Sequence, residues 1–385
     1  MTKTDPLRKR LIEAEASWLV YGQGESAVEL AESFGSVELE YAAIRKGCVL
    51  LDQPHRATIR LTGDDRRELM NRLFTQELKD LDAGMSRRSL WLNGKGRIDA
   101  DLRIIELAGE TYLDLDRNAA QRAAEGIDQY IIADDVTIED VAESWRRLAL
   151  HGPKADALLT SITGGGLPEP ERAQESSIAG VRVIIDRQDS LGVPGYELLV
   201  DAAGAERVDE AIVSAGEADP SLKFRRSGWL ACNTARIEAG WPLYLTDFGP
   251  DSIPNELGEL LTDRVSFTKG CYLGQEVVAR IHAQGKPRRL LVAIRFKREV
   301  IGETTEEGER PRTLQPATAA TLLDGPDGQV IGAITSSTLS PMLGDVPIAL
   351  AQMKTESARP GTTVIADLGS RQLSGTVQEK LCFLG

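Results

Sequence analysis

The segment from Lys269 to Glu276, with the sequence KGCYLGQE, places a cysteine where its thiol could react. Cys271 follows Lys269 by two residues, and residues 275–282 are predicted to form a short helix soon after it. A thiol just before a helix N-terminus and near an ammonium group has its thiolate stabilised by both positive charges. The spacing leaves a second interpretation open, in which Cys271 is an ordinary buried cysteine beside a turn.

The elements that must position this segment are a mixture of predicted helices and strands. The pattern of residues 7–47 predicts helices with short breaks. The pair Asn93-Gly94 lies between the apolar runs 89–92 and 98–107 and predicts a β-hairpin. Further helices are predicted at 64–75, 118–131, 153–161 and 204–215, and further strands at 57–61, 111–115, 145–151, 181–186 and 195–200. Because several strand pairs are hairpins, the pattern favours an α+β fold with mixed antiparallel sheets over a doubly wound parallel sheet.

The composition changes near residue 288, and this change predicts a domain boundary. Helical periodicity largely ends there, and short strands separated by Gly, Pro and Asp continue to the C-terminus. That pattern is typical of a small β-barrel or sandwich. We therefore predict an α+β region over residues 1–287, with lobes of approximately 1–145 and 146–287, and a C-terminal β-barrel over 288–385.

The charge balance excludes some classes of partner. A formal charge of −14 and a pI near 4.9 argue against general nucleic-acid binding. Lys286-Pro287-Arg288-Arg289 is either a local RNA-binding patch or a solvated loop of charges. The charged N-terminus lacks the apolar stretch of a signal peptide, and no apolar run approaches membrane-spanning length. We therefore expect a cytoplasmic protein with no membrane partner.

The cysteines and histidines do not have the spacing of metal ligands. Cys48, Cys232, Cys271 and Cys382 lie far apart without a C-x-x-C pair, and only three histidines are present. Metal-binding and cluster-binding motifs need closely spaced ligands. We expect no metal site, so any connection to iron–sulfur chemistry would concern clusters held by other proteins.

KGCYLGQE resembles the K-G-C-x-x-G-Q-E motif of the YgfZ-type folate-binding proteins, which serve iron–sulfur cluster assembly and repair. These proteins share their fold with the glycine-cleavage T-protein, a tetrahydrofolate-dependent aminomethyltransferase. The resemblance implies a folate-binding fold around a central cavity, with tetrahydrofolate or another reduced folate as cofactor. It also implies that Cys271 is the reactive group and that Lys269, Gln275 and Glu276 lie at the folate site.

Two further segments are similar to T-protein motifs. Gly96-Arg97-Ile98-Asp99-Ala100-Asp101-Leu102 resembles G-G-x-x-D-D-L, which implies that Asp101 lies beside the reactive folate nitrogens. The alternation in that strand leaves open that Asp99 and Asp101 simply face outward. Gly195-Tyr196-Glu197-Leu198 resembles G-[FY]-E-L, which implies that Glu197 binds the pterin. Alternation places Glu197 opposite Tyr196 and Leu198, facing either water or a cavity.

The stretch from Arg236 to Tyr244 resembles R-x-E-x-G-x-P-L-Y, and we expect Arg236 and Glu238 to hold the lobes together and to do no chemistry. Two positions depart from the T-protein pattern. Cys232 stands where T-proteins have an arginine on the folate, and Ser190 stands where they have an aromatic residue near the pterin. Loss of that charge and that stacking surface would weaken folate binding by about 2–4 kcal/mol.

These residues are consistent with three functions. The first is a tetrahydrofolate-binding accessory protein for iron–sulfur enzymes, with Cys271 as the reactive group and iron–sulfur proteins as clients. The second is a folate-dependent aminomethyltransferase or related C1 transferase or demethylase, which would depend on Asp101 and not on Cys271. The third is a binding module in which Cys271 is structural. The K-G-C-x-x-G-Q-E motif favours the accessory protein.

Overall fold

The computed structural model describes residues 6–298 and 316–384. The chain divides into two compact units. Unit 1 comprises Met1–Cys232 with Thr262–Glu276, and unit 2 comprises Asn233–Leu261 with Val277–Gly385. The domain limits predicted from the sequence, 1–287 and 288–385, stay a prediction.

Nine α-helices occur in the described residues. They are α1 Pro6–Glu13, α2 Val37–Lys46, α3 Arg66–Leu73, α4 Arg117–Asp128, α5 Ala155–Thr163, α6 Ala205–Ala218, α7 Trp229–Glu238, α8 Leu261–Arg264 and α9 Gln275–Gln284. The predicted helices at 64–75, 118–131, 153–161, 204–215 and 275–282 are all confirmed, with ends that differ by a few residues.

Thirteen described strands belong to unit 1. They are β1 Ser17–Tyr21, β2 Val28–Ser33, β3 Cys48–Asp52, β4 Arg56–Thr62, β5 Ser86–Leu92, β6 Ile98–Leu107, β7 Glu110–Asp116, β8 Thr137–Asp140, β9 Trp145–His151, β10 Ala173–Ile178, β11 Val181–Arg187, β12 Gly195–Asp201 and β13 Phe224–Arg226. Strands β5, β6, β7, β4 and β8 form, in that order, a five-stranded antiparallel sheet. Strands β10, β11, β12, β9, β3 and β13 form a six-stranded sheet, antiparallel except where β13 pairs with β3. The α+β fold class with mixed antiparallel sheets is thus confirmed.

The prediction of helices throughout residues 7–47 is wrong for its central part. Strands β1 and β2 pair there as an antiparallel hairpin, whereas α1 and α2 are helical as expected. The segment Trp18-Leu19-Val20 contains aromatic and β-branched side chains that favour strands, and glycines at 22 and 24 with positive φ allow the turn. This local turn chemistry prevails over the helical pattern on either side.

The predicted hairpin between β5 and β6 is confirmed. Asn93 N donates to Arg97 O over 3.0 Å, and the Asn93 Oδ1 atom accepts from Lys95 N over 3.0 Å. The positive φ that closes the turn, +71°, falls on Gly96. This turn directs β6 back beside β5 and so sets the position of Asp101 on β6.

The two large sheets of unit 1 face each other, and helices cover their outer surfaces. On the six-stranded sheet, apolar side chains of α1, α5 and α6 pack with the alternate residues Leu148, Tyr196 and Leu198. Helix α4 packs against the five-stranded sheet. Between the sheets, Ile105 and Leu199 belong to one apolar cluster. Central strands such as β9 and β12 therefore have one side against the helices and one side against the opposite sheet.

Unit 2 contains a closed six-stranded antiparallel barrel, which confirms the predicted C-terminal barrel. Its strands are β14 Arg289–Phe296, β15 Thr321–Leu323, β16 Val330–Ser340, β17 Val346–Lys354, β18 Thr363–Asp367 and β19 Gln372–Val377. The order is β14-β17-β16-β15-β18-β19, and pairing of β19 with β14 closes it. Closure leaves the barrel without an exposed sheet edge.

Arg236 and Glu238 at the end of α7 attach this helix to β16 within unit 2. Arg236 donates to Ser336 Oγ and Asp247 Oδ2, both over 2.6 Å. Ser340 Oγ donates to Glu238 Oε1. Both side chains are buried and make structural contacts, and the expectation that they hold the lobes together stays a prediction. Among the described helices, none combines the length and the apolar character that crossing a membrane requires.

Candidate functional site

Charged side chains are buried where the two sheets of unit 1 face each other. Arg103 on β6 donates to Asp186 on β11, with Nη2 2.9 Å from Oδ1. Arg147 on β9 reaches Asp114 on β7, with Nη2 2.6 Å from Oδ2. All four side chains are at most 4% exposed. Ion pairs with such burial require hydrogen-bonded partners, and these two pairs join the sheets.

These charged side chains point into the interior because side chains alternate between the two faces of a strand. In β12, Tyr196 and Leu198 face the helices, so Glu197 between them faces the opposite sheet. In β6, Leu102 and Ile104 alternate with Asp101 and Arg103 in the same way. We name the surface formed by Asp101, Arg103, Asp114, Arg147, Asp186 and Glu197 the inter-sheet surface.

Glu197 has an unusual environment on the inter-sheet surface. The residue is only 5% exposed, and its Oε1 lies 3.5 Å from His151 Nε2. Its Oε2 lies 3.6 Å from Arg147 Nε, which is beyond hydrogen-bond distance, and no described residue donates a hydrogen bond to this oxygen. A buried carboxylate oxygen without a donor is costly. The arrangement suits a ligand that brings N–H groups to Glu197.

Asp101 is also buried, at 8% exposed, so the outward orientation that the sequence left open is wrong for this residue. Arg88 Nη1 lies 3.2 Å from its Oδ2, and Arg264 Nε lies 3.3 Å from its Oδ1. Arg88 also donates to Gln188 Oε1 over 2.6 Å. Two guanidinium groups therefore fix both carboxylate oxygens of Asp101.

The pKa shifts on this surface follow from burial and pairing. Burial lowers the pKa of Arg88 to about 10. Burial by itself would raise the pKa of Asp114, but the adjacent Arg147 and Arg56 guanidinium groups lower it below its ordinary value. Asp114 is therefore an ionised carboxylate near neutral pH, and it holds both arginines in place.

The segment 262–276, which contains the KGCYLGQE motif, is fastened to the loop between α3 and β5. Thr75 Oγ1 donates to Arg264 O over 2.6 Å, and Ser266 N donates to Thr75 O over 3.0 Å. Lys269 Nζ donates to Phe74 O over 2.7 Å and to Gln76 O over 2.6 Å. Burial lowers the pKa of Lys269 to about 8. The ammonium group of Lys269 thus holds the loop, and its predicted effect on the Cys271 thiolate and on folate stays a prediction.

Gly274 packs against the turn of the β5–β6 hairpin. Its φ is +78°, and a Cβ atom there would lie 2.8 Å from Asn93 O and 3.1 Å from Gly96 Cα. Only glycine meets both the conformation and the close approach. The motif segment is therefore held at one point by the hairpin that carries Asp101 and, through Arg264, by Asp101 itself.

Cys271 is exposed, so the alternative of a buried cysteine beside a turn is wrong. Cys48 and Cys232 are buried, and burial raises the pKa of each thiol to about 12. Cys382 is exposed, and its Sγ donates to Leu384 O over 3.1 Å. Cys271 thus presents an accessible thiol on a segment whose neighbours, Lys269 and Gly274, are fixed.

The remaining predicted site residues lie at the start of α9. Gln275 is partly exposed and Glu276 is exposed, and their predicted folate contacts stay predictions. The structure brings Asp101 and Glu197 to the facing sheets. Sequence reasoning missed Arg88, Asp114, Arg147 and Arg264. The position of Asp114 between Leu113 and Leu115 in β7 was a usable signal, whereas Arg88 and Arg147 each follow another arginine and show no such alternation. The described residues hold no group of three His, Cys, Asp or Glu side chains suited to a metal ion.

Comparisons with known proteins agree with this architecture. The GCVT N-terminal domain family matches residues 7–268, and the glycine cleavage T-protein C-terminal barrel domain family matches residues 297–383. A relative from Streptomyces avermitilis called aminomethyltransferase is 30% identical over 337 residues, covering 86% of this chain and 84% of the relative. Another aminomethyltransferase, from Saccharopolyspora erythraea, is 29% identical and covers 86% of this chain and 85% of that protein.

Among solved structures, the fold is similar to the glycine cleavage system aminomethyltransferase T from Bartonella henselae. The TM-score is 0.82 with 22% identity, over 97% of this chain and 96% of that chain. The two matched domain families together account for the α+β region and the barrel. The chain belongs to the glycine-cleavage T-protein family.

Proposed function

We propose that unit 1 binds tetrahydrofolate or a related reduced folate on the inter-sheet surface, with Glu197 as the pterin ligand. The observation that carries this proposal is the buried Glu197 Oε2 without a hydrogen-bond donor. A carboxylate accepts two parallel N–H bonds from a planar donor pair, such as the 2-amino group and N3–H of a pterin. Arg147, 3.6 Å from Oε2, keeps a positive charge beside that carboxylate.

Asp101 has a positioning role in this proposal. Arg88 and Arg264 each contact one of its carboxylate oxygens, so its orientation is fixed before any ligand arrives. A bound reduced folate would supply a carrier for a one-carbon unit. Because both oxygens already accept from guanidinium groups, Asp101 is better suited to holding a charge in place than to exchanging protons.

The function that this geometry supports best is that of a folate-binding accessory protein of the YgfZ type, which serves the assembly or repair of iron–sulfur enzymes. Its distinguishing residue is Cys271, an exposed thiol in the K-G-C-x-x-G-Q-E segment. That segment is fastened by Lys269 and Gly274, so the thiol is presented in a defined place. Iron–sulfur proteins would be its clients.

A second candidate is a folate-dependent aminomethyltransferase or a related C1 transferase. The names of the curated relatives support this candidate more directly than the accessory role. It needs Glu197 and Asp101 but assigns no chemistry to Cys271. The two candidates therefore share the folate site and differ in which residue the function requires.

Complementation of a strain that lacks such an accessory factor separates them. Cys271→Ala is expected to abolish complementation, whereas Cys382→Ala, which removes the other exposed thiol, is expected to retain it. Full complementation by Cys271→Ala would contradict the accessory role. Formation of methylene-tetrahydrofolate from a methylamine donor, dependent on Asp101 and unaffected by Cys271→Ala, would establish the second candidate instead.

Thiol alkylation gives an independent test on the purified protein. With iodoacetamide at pH 8, Cys48 and Cys232 should remain unmodified because burial raises their pKa to about 12. Peptide mass spectrometry should show Cys271 reacting fastest, at a rate that tetrahydrofolate changes. Slow modification that is indifferent to folate would mean that Cys271 is structural.

A further inference from the structure

A basic groove of about 450 Å³ lies on unit 2, where the residues after α9 meet the end of β17. Four cations line it, Lys286, Arg288, Lys354 and Arg359, together with a single acidic residue, Glu356. Four positive charges and one negative charge give a local charge of +3. The whole chain carries −14, so this groove opposes the overall charge of the protein.

The cations of the basic groove lack neutralising partners among residues 6–298 and 316–384. None of the four has an ion-pair partner within 4 Å in the described part of the chain. By contrast, the neighbouring Arg289, on the same strand end, is paired with Glu256 Oε2 at 3.1 Å. Clustered like charges repel one another and raise the local concentration of anions. The groove therefore has the electrostatics of an anion site.

The backbone beneath the groove is fixed. Thr355 N donates to Arg288 O over 3.1 Å, and Thr355 Oγ1 donates to Pro287 O over 2.5 Å. Strand β14 pairs with β17 through Arg289 opposite Lys354. The two segments that carry the cations are thus joined to each other at the rim of the barrel, so their relative placement does not depend on a ligand.

We propose that the basic groove binds a small ligand with two or more adjacent anionic groups, phosphate or carboxylate. Two arginines offer planar donor pairs that match such groups, and two lysines add point charges. The volume suits a small molecule. The lining residues that the structure describes include no aromatic side chain on which a nucleobase could stack, which disfavours single-stranded RNA.

The test is a calorimetric titration of the full-length protein at low ionic strength. Tripolyphosphate and tri-glutamate serve as the phosphate and carboxylate probes, and the tighter of the two identifies the source of the anionic groups. Binding of either should weaken as salt is raised, because exposed charges are screened. The proposal would be overturned if neither probe binds. It would also be overturned if a single-stranded oligonucleotide without terminal phosphates binds more tightly than both probes.

Variants that remove a positive or a negative charge from the groove are expected to change the affinity in opposite directions. Lys354→Gln with Arg359→Gln should weaken binding about tenfold or more, since removal of charge-assisted contacts corresponds to at least 1.4 kcal/mol. Glu356→Gln should strengthen binding by about two- to fivefold. Arg371→Gln, an exposed barrel arginine outside the groove, is the matched control and should bind as the native protein does. Equal affinity in all variants would show that the probes do not bind in the basic groove. Circular dichroism checks that each variant is folded.

Discussion

The facing sheets of unit 1 and the barrel of unit 2 each enclose an interior, but the two interiors contain side chains of different chemistry. The barrel interior is an apolar cluster in which Ile294, Met353 and Val364 are fully buried. The inter-sheet surface instead contains the buried pairs Arg103–Asp186 and Arg147–Asp114. Burying charges is costly even when they are paired, so buried pairs are weak evidence for stability. The comparison shows that packing alone does not explain the interior of unit 1, and our proposal assigns its buried charges to ligand binding.

The largest expected effect tests the charged interior. Asp186→Ala should lower the free energy of unfolding by about 3–5 kcal/mol, because Arg103 would remain buried without its carboxylate. Urea unfolding followed by circular dichroism measures the change. A paired replacement, Arg103→Met with Asp186→Leu, should recover most of the loss. If the paired replacement is no more stable than Asp186→Ala, the charges are needed for folding. That result would contradict the view that this buried ion pair adds little to stability.

The barrel should respond to the loss of volume. Met353 is 0% exposed within the apolar cluster, so Met353→Ala should lower the free energy of unfolding by about 2–5 kcal/mol. Met353→Leu conserves the volume and should cost less than about 1.5 kcal/mol. The same urea experiment applies. Equal losses for the two variants would show that the barrel interior is not held by packing.

The smallest expected effect concerns a charge pair outside both interiors. Arg60 and Glu139 pair across β4 and β8 with side chains 35% and 46% exposed. Glu139→Gln should change the free energy of unfolding by less than about 1 kcal/mol, because solvent screens the pair. A loss as large as that of Asp186→Ala would mean that burial does not explain the difference between these pairs.

Much of the fold was predictable from local patterns. Asn93-Gly94 between apolar runs predicted the β5–β6 hairpin, and the loss of helical periodicity after about residue 288 predicted the barrel. The β1–β2 hairpin was missed, although the segment Trp18-Leu19-Val20 and the glycines at 22 and 24 were local signals for a strand and a turn. Pairing of β3 with β9 was also beyond local reasoning, because it joins residues about a hundred positions apart in sequence.

The candidate site was predictable only in part. Alternation in β12 separated Glu197 from Tyr196 and Leu198, and the structure confirms that Glu197 faces away from the helices. The partners of Asp101 could not be predicted, because Arg264 lies 163 residues further along the chain. Whether a charged side chain on a strand faces water or another sheet depends on tertiary packing, which the sequence of a single segment does not determine.

The most direct test of the account is the affinity of the purified protein for tetrahydrofolate, measured by calorimetry for the native protein and Glu197→Gln. The native protein should bind, and Glu197→Gln should bind about ten- to a hundredfold more weakly, because an amide replaces a charged acceptor of two hydrogen bonds. Urea unfolding of the variant should change little, since Glu197 Oε2 has no donor among the described residues. Equal affinity of the two proteins would contradict the assignment of Glu197, and absence of binding by the native protein would contradict a folate site on the inter-sheet surface.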